Sequence, residues 1–434
     1  MLNEENNLKR HRDERIRKRI SEVVKPMTTK SSRFVVSLAL GLATIALAVA
    51  QTPAPADRKS GFAVEPLASP AGKSSSEPQM TVQGDRVILS WLEVNGERTT
   101  LKFSERNATG WSAPRSVFSS ADFFVNSFDV PSVRALADGT LAAHWMDTNG
   151  DDSDASKVML SWSKDHGQTW SRPVSPHHDG TQTEHGFVSL FQAPDAGLGL
   201  VWIDGRETNP EKETGDMSLR ASVYDRNGKQ LREMVVDPRV CECCSTAAAT
   251  TSEGVIVAFR NRSADEIRDI YVSRFAAGVW SAPTVVHDDN WRITACPING
   301  PAISANDKDV AVGWFTAKDD QGRAFLAFSH DGGRTFGTPI RVDDAGSQGR
   351  LGVQLLENGS AAVTWIEFAN KRSTFRLRTI SPTGVRSPAV TIAETSGGRY
   401  PRIARSRDEL LFSWTEGEGP AAHVRTARAS IGPK

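Results

Sequence analysis

Seven short apolar runs, each ending in an aromatic residue with a polar or acidic tail, recur along this chain at near-constant spacing. They read VILSWLE (87–93), LAAHWMD (141–147), LGLVWID (198–204), VIVAFRN (255–261), VAVGWFT (310–316), AAVTWIE (361–367) and LLFSWTE (410–416). The aromatics are Trp91, Trp145, Trp202, Phe259, Trp314, Trp365 and Trp414, separated by 54, 57, 57, 55, 51 and 49 residues. A period near 50 built from strand-length segments points to a radial array of sheets, since one such unit cannot bury its apolar face alone.

Each unit repeats one grammar of strands and tight turns. The second shows it in full: VPSVRAL, the turn Ala137-Asp138-Gly139, LAAHWMD, a charged loop at 148–156, KVMLSWS, a turn at 164–168, then TWSRPVS. Period-two alternation and turn chemistry are strand-like throughout, with no amphipathic helix in the body. The expectation is an all-β propeller of four-stranded blades, seven in number, with six the alternative. The last unit carries only three strands. The lone segment FAVEPL (62–67) is expected to supply the fourth and close the ring, removing an exposed edge.

Charge and the N-terminus bound the location. The chain of 434 residues has zero formal net charge. Of its 52 basic and 52 acidic groups, ten and five lie in residues 1–33, leaving a mildly acidic body of 42 and 47. Nucleic acid is therefore an unsuitable partner for the body. Residues 34–50 (FVVSLALGLATIALAVA) are apolar and uncharged, follow a basic stretch and end in Ala48-Val49-Ala50. That is the pattern of a secretory signal peptide, with Met27 as the expected true start and residues 1–26 a start-site artefact. An uncleaved membrane anchor is the alternative, at the short end for a span. Either way the body is expected outside the cytoplasm, periplasmic or secreted, as a monomer touching membrane only through that segment. Residues 51–80 are Pro/Ser-rich and read as a linker preceding a propeller over 81–434.

Two turns share a second motif. Ser163, Asp165, Gly167 and Trp170 sit in SKDHGQTW, and Ser329, Asp331, Gly333 and Phe336 in SHDGGRTF, 166 residues apart. Asp accepts local backbone N–H groups, Gly permits a left-handed turn, and the aromatic packs between sheets. Weaker copies lie at 107–111, 225–228 and 278–280. With these Asp boxes the chain resembles the sialidase-superfamily, BNR-repeat propellers, exo-α-sialidase-like members included, over roughly residues 80–430. The motif is specific for the fold and weak for the reaction. In that family the working face holds the loops entering each first strand and leaving each aromatic strand.

Counting back from each aromatic aligns the entry loops. Cys241, Cys243 and Cys244 (VCECCS) lie 18, 16 and 15 residues before Phe259, and Cys296 (ACPING) 18 before Trp314. His185 lies 17 before Trp202 and Asp129 16 before Trp145. All four thiols are thus expected at one rim of the central channel. Two readings stay open. Four cysteines in an oxidising compartment pair as disulfides, Cys241–Cys296 stapling neighbouring blades; or they hold a soft metal, copper or zinc, with His185 as a further ligand. Charged exit loops add Asp204, Arg206, Arg260, Arg262, Glu266, Arg268 and Asp269, either a solvated, self-paired rim or a grip for an anionic ligand.

The resemblance implies an arginine triad, an acidic Asp and a Tyr nucleophile paired with Glu. Where its first Arg belongs, this chain has Asp129 in Phe128-Asp129-Val130-Pro131. Tyr400, near Arg399 and Arg402, with Glu266 is the remaining candidate pair. The expectation is therefore a propeller binding a small ligand or metal, without true sialidase turnover. The alternatives are a glycoside hydrolase using two carboxylates drawn from Asp129, Glu184, Asp204, Glu266 and Asp269 on a glycan, or a scaffold for an envelope protein.

Overall fold

The computed structural model describes residues 62–431 except 151, 153, 194–196, 210, 211, 213 and 396–398. The signal-peptide or anchor segment and residues 51–61 of the linker lie outside the described residues. No helix among them is long and apolar enough to cross a membrane.

The described strands form seven antiparallel sheets, the blades of a propeller. Five have four strands, the fourth has five, and the second has three, extended by an isolated bridge between Leu160 and Val174. In chain order the inner strands are Ser75–Gln83, Ser132–Ala135, His185–Gln192, Ala247–Thr251, Ala302–Asn306, Gly346–Leu355 and Arg402–Ser406. Strand Val64–Leu67 pairs antiparallel with His423–Ser430, from Val64 opposite Ala429 to Leu67 opposite Thr426, and is the outer strand of the seventh blade. The first blade also meets the seventh through Ser75, which donates from N to Ala422 O at 3.1 Å and accepts from Val424 N at 3.0 Å.

In four of the repeats the acidic tail after the aromatic has a physical cause. Trp91, Trp145, Trp202 and Trp365 are fully buried between blades, Phe259 and Trp314 nearly so, and Trp414 half-buried. A buried indole N–H needs an acceptor. Residues i and i+2 share a strand face, so the acidic residue two positions on supplies it. Trp91 donates to Glu93 at 2.8 Å, Trp145 to Asp147 at 3.0 Å, Trp202 to Asp204 at 2.7 Å and Trp365 to Glu367 at 3.3 Å. Where Thr316 replaces the acid, Asp289 from the preceding connection accepts from Trp314 at 2.6 Å. Where the aromatic is Phe259, the tail is Asn261 and no indole needs an acceptor.

The two Ser-x-Asp turns match bond for bond. Asp165 Oδ1 accepts from the backbone of Gln168 (3.1 Å) and Thr169 (2.9 Å), and Ser163 Oγ accepts from Gly167 N at 2.8 Å. Asp331 Oδ1 accepts from Arg334 (2.8 Å) and Thr335 (3.0 Å), and Ser329 Oγ from Gly333 N at 2.9 Å. At Gly333, where φ is +82°, a Cβ would meet Ile256 Cδ1 at 2.1 Å, so a side chain there would be strained and would have to displace Ile256.

Candidate functional site: a thiol cluster between blades four and five

Cys241, Glu242, Cys243 and Cys244 form a tight turn between the outer strand of blade three, ending at Val240, and the inner strand of blade four, starting at Ala247. Cys241 N donates to Arg260 O at 2.9 Å, pinning the turn to the end of the aromatic strand. All four cysteines carry free thiols. Cys241 Sγ lies 3.5 Å from Cys244 Sγ and 3.8 Å from Cys243 Sγ, and these three sulfurs lie within 4.8 Å of one another. Cys241 and Cys244 are buried, whereas Cys243 and Cys296 are half-buried. Cys296 interacts with Cys243 and points its thiol at Glu242 Oε1, 3.6 Å away.

The second loop, Cys296-Pro297-Ile298-Asn299-Gly300, is pressed against the first. Asn299 N donates to Cys244 Sγ at 3.4 Å. A Cβ on Gly300 would stand 2.0 Å from Ser245 O, so only glycine allows the loops this close. Tyr400 fastens the same loop: its hydroxyl donates to Ile298 O at 2.9 Å and accepts from Gly300 N at 3.2 Å and Arg350 Nη1 at 3.0 Å. Arg350 lies over the rings of both Tyr400 and Phe128.

The exit-loop charges split into two roles. Arg260 is a structural pin, donating to the carbonyls of Asn299, Phe315 and Arg268 at 2.6–3.0 Å. Asp269 likewise accepts from the backbone of Asn290 and Trp291. Arg268 faces the thiols instead: Nη1 reaches Cys241 Sγ at 3.2 Å and Glu242 Oε2 at 2.9 Å, and Nη2 reaches Glu266 Oε2 at 3.0 Å. Arg262 grips Glu266 with two nitrogens. Those guanidiniums, against the cost of burial, hold the Glu266 carboxyl down at about 2.

Electrostatics within the cluster is uneven. Burial pushes the Cys241 thiol up to about 11 and raises Cys243 as well. Cys244 goes the other way. Burial opposes its ionisation, but hydrogen bonds from Cys241 and Cys243, the Arg260 charge and the Asn299 N–H outweigh it.

The remaining candidates lie elsewhere. His185 opens the inner strand of blade three and joins His177, Asp179 and Asp204 rather than the thiols. Its ring stacks on His177 at 3.9 Å, its Nδ1 bonds Thr183 O at 3.0 Å, and its Nε2 stands 3.3 Å from Asp179 Oδ2 without a hydrogen bond. Asp204 and Arg206 form a bidentate pair at 2.8 and 2.7 Å. Asp129 is buried and accepts from the backbone N–H groups of Phe187 and Val188 in the next blade; burial raises its carboxyl to about 7. Glu266 is held by Arg262 and Arg268, and the hydroxyl of Tyr400 by Ile298, Gly300 and Arg350, so the structure pairs neither with the other.

Sequence reasoning passed over Glu242, Asn299 and Arg350. Glu242 had a signal, an acid inside a Cys-x-Cys-Cys turn. Arg350 had none, because two left-handed residues, Gly349 and Arg350, make the irregularity that turns it inward.

No family profile matches the sequence, and no curated protein matches it. Solved structures do. The polysaccharide lyase Uly1 aligns over 88% of this chain and 94% of its own, with TM-score 0.52 and 11% identity. The phage phi92 endosialidase aligns over 86% and 70%, with TM-score 0.47 and 7% identity. The Hadza microbial sialidase Hz136 aligns over 74% and 66%, with TM-score 0.40 and 14% identity. At these identities the likeness is one of fold alone.

Proposed function

We propose that the thiol cluster holds a soft metal ion, copper or zinc, and that this exported propeller lacks sialidase turnover. The sulfur geometry carries the reading. Zinc–sulfur bonds of about 2.3 Å at the tetrahedral angle place sulfurs about 3.8 Å apart, and the cluster has Sγ separations of 3.5 and 3.8 Å. A disulfide needs about 2.05 Å. The surroundings suit thiolates: a guanidinium on Cys241 and a backbone N–H on Cys244. Against sialoside hydrolysis stand the Asp129 carboxylate, tied to the next blade's backbone, and the Tyr400 hydroxyl, committed to fastening the Cys296 loop.

The test is metal analysis with thiol titration on protein isolated without chelator, beside a sialoside reporter. One soft ion per chain, lost in Cys244→Ser, and no reporter turnover are expected. Turnover abolished by Tyr400→Phe overturns the second half of the proposal.

A further inference from the structure

We infer that the site is a three-thiolate centre for monovalent copper, with Cys296 as the ligand through which the ion enters. This deepens the soft-metal reading and rests on it.

Donor number comes first. The mutually close sulfurs are those of Cys241, Cys243 and Cys244; Cys296 is outside that set. A structural zinc site closes with four ligands. Arg268 Nη1 stands 3.2 Å from Cys241 Sγ, a hydrogen-bond donor rather than a fourth ligand. The Asn299 N–H on Cys244 is a donor as well, and the Cys296 thiol interacts with Cys243 from the facing loop. Three sulfurs with no imidazole or carboxylate among them match a soft monovalent ion satisfied by trigonal coordination.

Burial assigns the path. Cys241 and Cys244 form the closed floor, and Cys243 and Cys296 the half-buried mouth. Cys296 lies in no strand, and its neighbours Cys243 and Glu242 belong to the facing loop. Entry is then ligand exchange. A copper(I)–thiolate donor approaches the Cys296 thiol, which Glu242 Oε1 orients at 3.6 Å; the copper–sulfur bond to Cys296 forms, the bond to the donor thiolate breaks, and that thiolate leaves with the electron pair and takes up the Cys296 proton. Copper then bonds to Cys243, Cys241 and Cys244 as its bond to Cys296 breaks; of the thiol protons this displaces, one returns to the Cys296 sulfur and the rest pass to solvent. Copper stays monovalent throughout.

The test uses the full chain under anaerobic conditions with copper(I)–glutathione as the donor probe and a copper(I) chelator as competitor. Wild type and Cys296→Ser are expected to bind one copper(I) with affinities within about threefold, and X-ray absorption to count three sulfurs in both. Uptake in Cys296→Ser slows by about tenfold or more, while Cys244→Ser loses about 100-fold in affinity. Circular dichroism and thermal melting check that each variant folds, and Glu242→Gln, which leaves every thiol in place, is expected to slow uptake without changing affinity. A four-sulfur shell lost equally in Cys296→Ser overturns this inference and leaves the soft-metal reading standing. Folded protein with four titratable thiols that takes up neither copper(I) nor zinc overturns both.

Discussion

Replacing Asp129 with asparagine should flatten part of the protein's pH–stability profile. The Asp129 carboxylate is 3% exposed, and one oxygen, Oδ1, has no hydrogen-bond partner. The other accepts two backbone N–H groups, but burial outweighs them and lifts the group from 3.8 to about 7. The sign follows from linkage. The native state binds this proton more tightly than the unfolded chain, so the stabilisation is complete below about pH 4 and is lost as pH rises through 7. Lifting the group from 3.8 to about 7 is worth about 4 kcal/mol. Asparagine keeps a carbonyl oxygen for Phe187 and Val188. It leaves an amide N–H₂ where the unpaired oxygen stood, at a pH-independent cost of about 1–3 kcal/mol. Measured by urea denaturation at pH 4, 5, 6, 7 and 8, Asp129→Asn should be the less stable protein at pH 4. It should gain about 4 kcal/mol relative to wild type by pH 8. Glu77, Asp147 and Asp237 are also raised by burial, but they titrate alike in both proteins and cancel in the difference. Parallel profiles would refute the reasoning, because they would mean that Asp129 ionises as a solvated carboxylate does.

Three further outcomes are expected. Trp145→Ala, emptying a fully buried site between blades and orphaning Asp147, should cost about 3–5 kcal/mol in denaturation, whereas Trp414→Ala, whose indole nitrogen has no partner, should cost less. Gly300→Ala forces a Cβ to within 2.0 Å of Ser245 O; the loops must part, and metal affinity should fall by about tenfold or more with little change in far-ultraviolet circular dichroism. Arg268→Met removes the guanidinium beside Cys241 and should slow alkylation of the cluster's thiols at pH 8, checked by iodoacetamide kinetics and mass mapping, because burial would then act on Cys241 without a compensating charge.

The repeat was legible because it has a simple physical origin. A buried indole and the carboxylate that accepts its N–H must sit two apart on a strand, and that signature survives in sequence at Trp91, Trp145, Trp202 and Trp365. Counting from those aromatics brought the four thiols to adjacent loops, but it also grouped His185 with them. The register explains the difference. Blade three carries a bulge between Val201 and Ile203, and His185 pairs opposite Asp204 as the first residue of its strand. Cys241, Cys243 and Cys244 precede theirs and remain in a turn. The arginines were legible as a cluster but not as separate roles. Whether a guanidinium meets backbone carbonyls, as Arg260 does, or a thiol, as Arg268 does, depends on contacts across 27 to 55 residues of chain, which no local pattern records.

The most direct test of the soft-metal reading is the ratio of metal to titratable thiol in the full chain, isolated anaerobically without chelator. The account predicts one soft metal ion per chain, with Cys241, Cys243 and Cys244 protected from alkylation until the ion is removed. Two disulfides and no bound metal would contradict it.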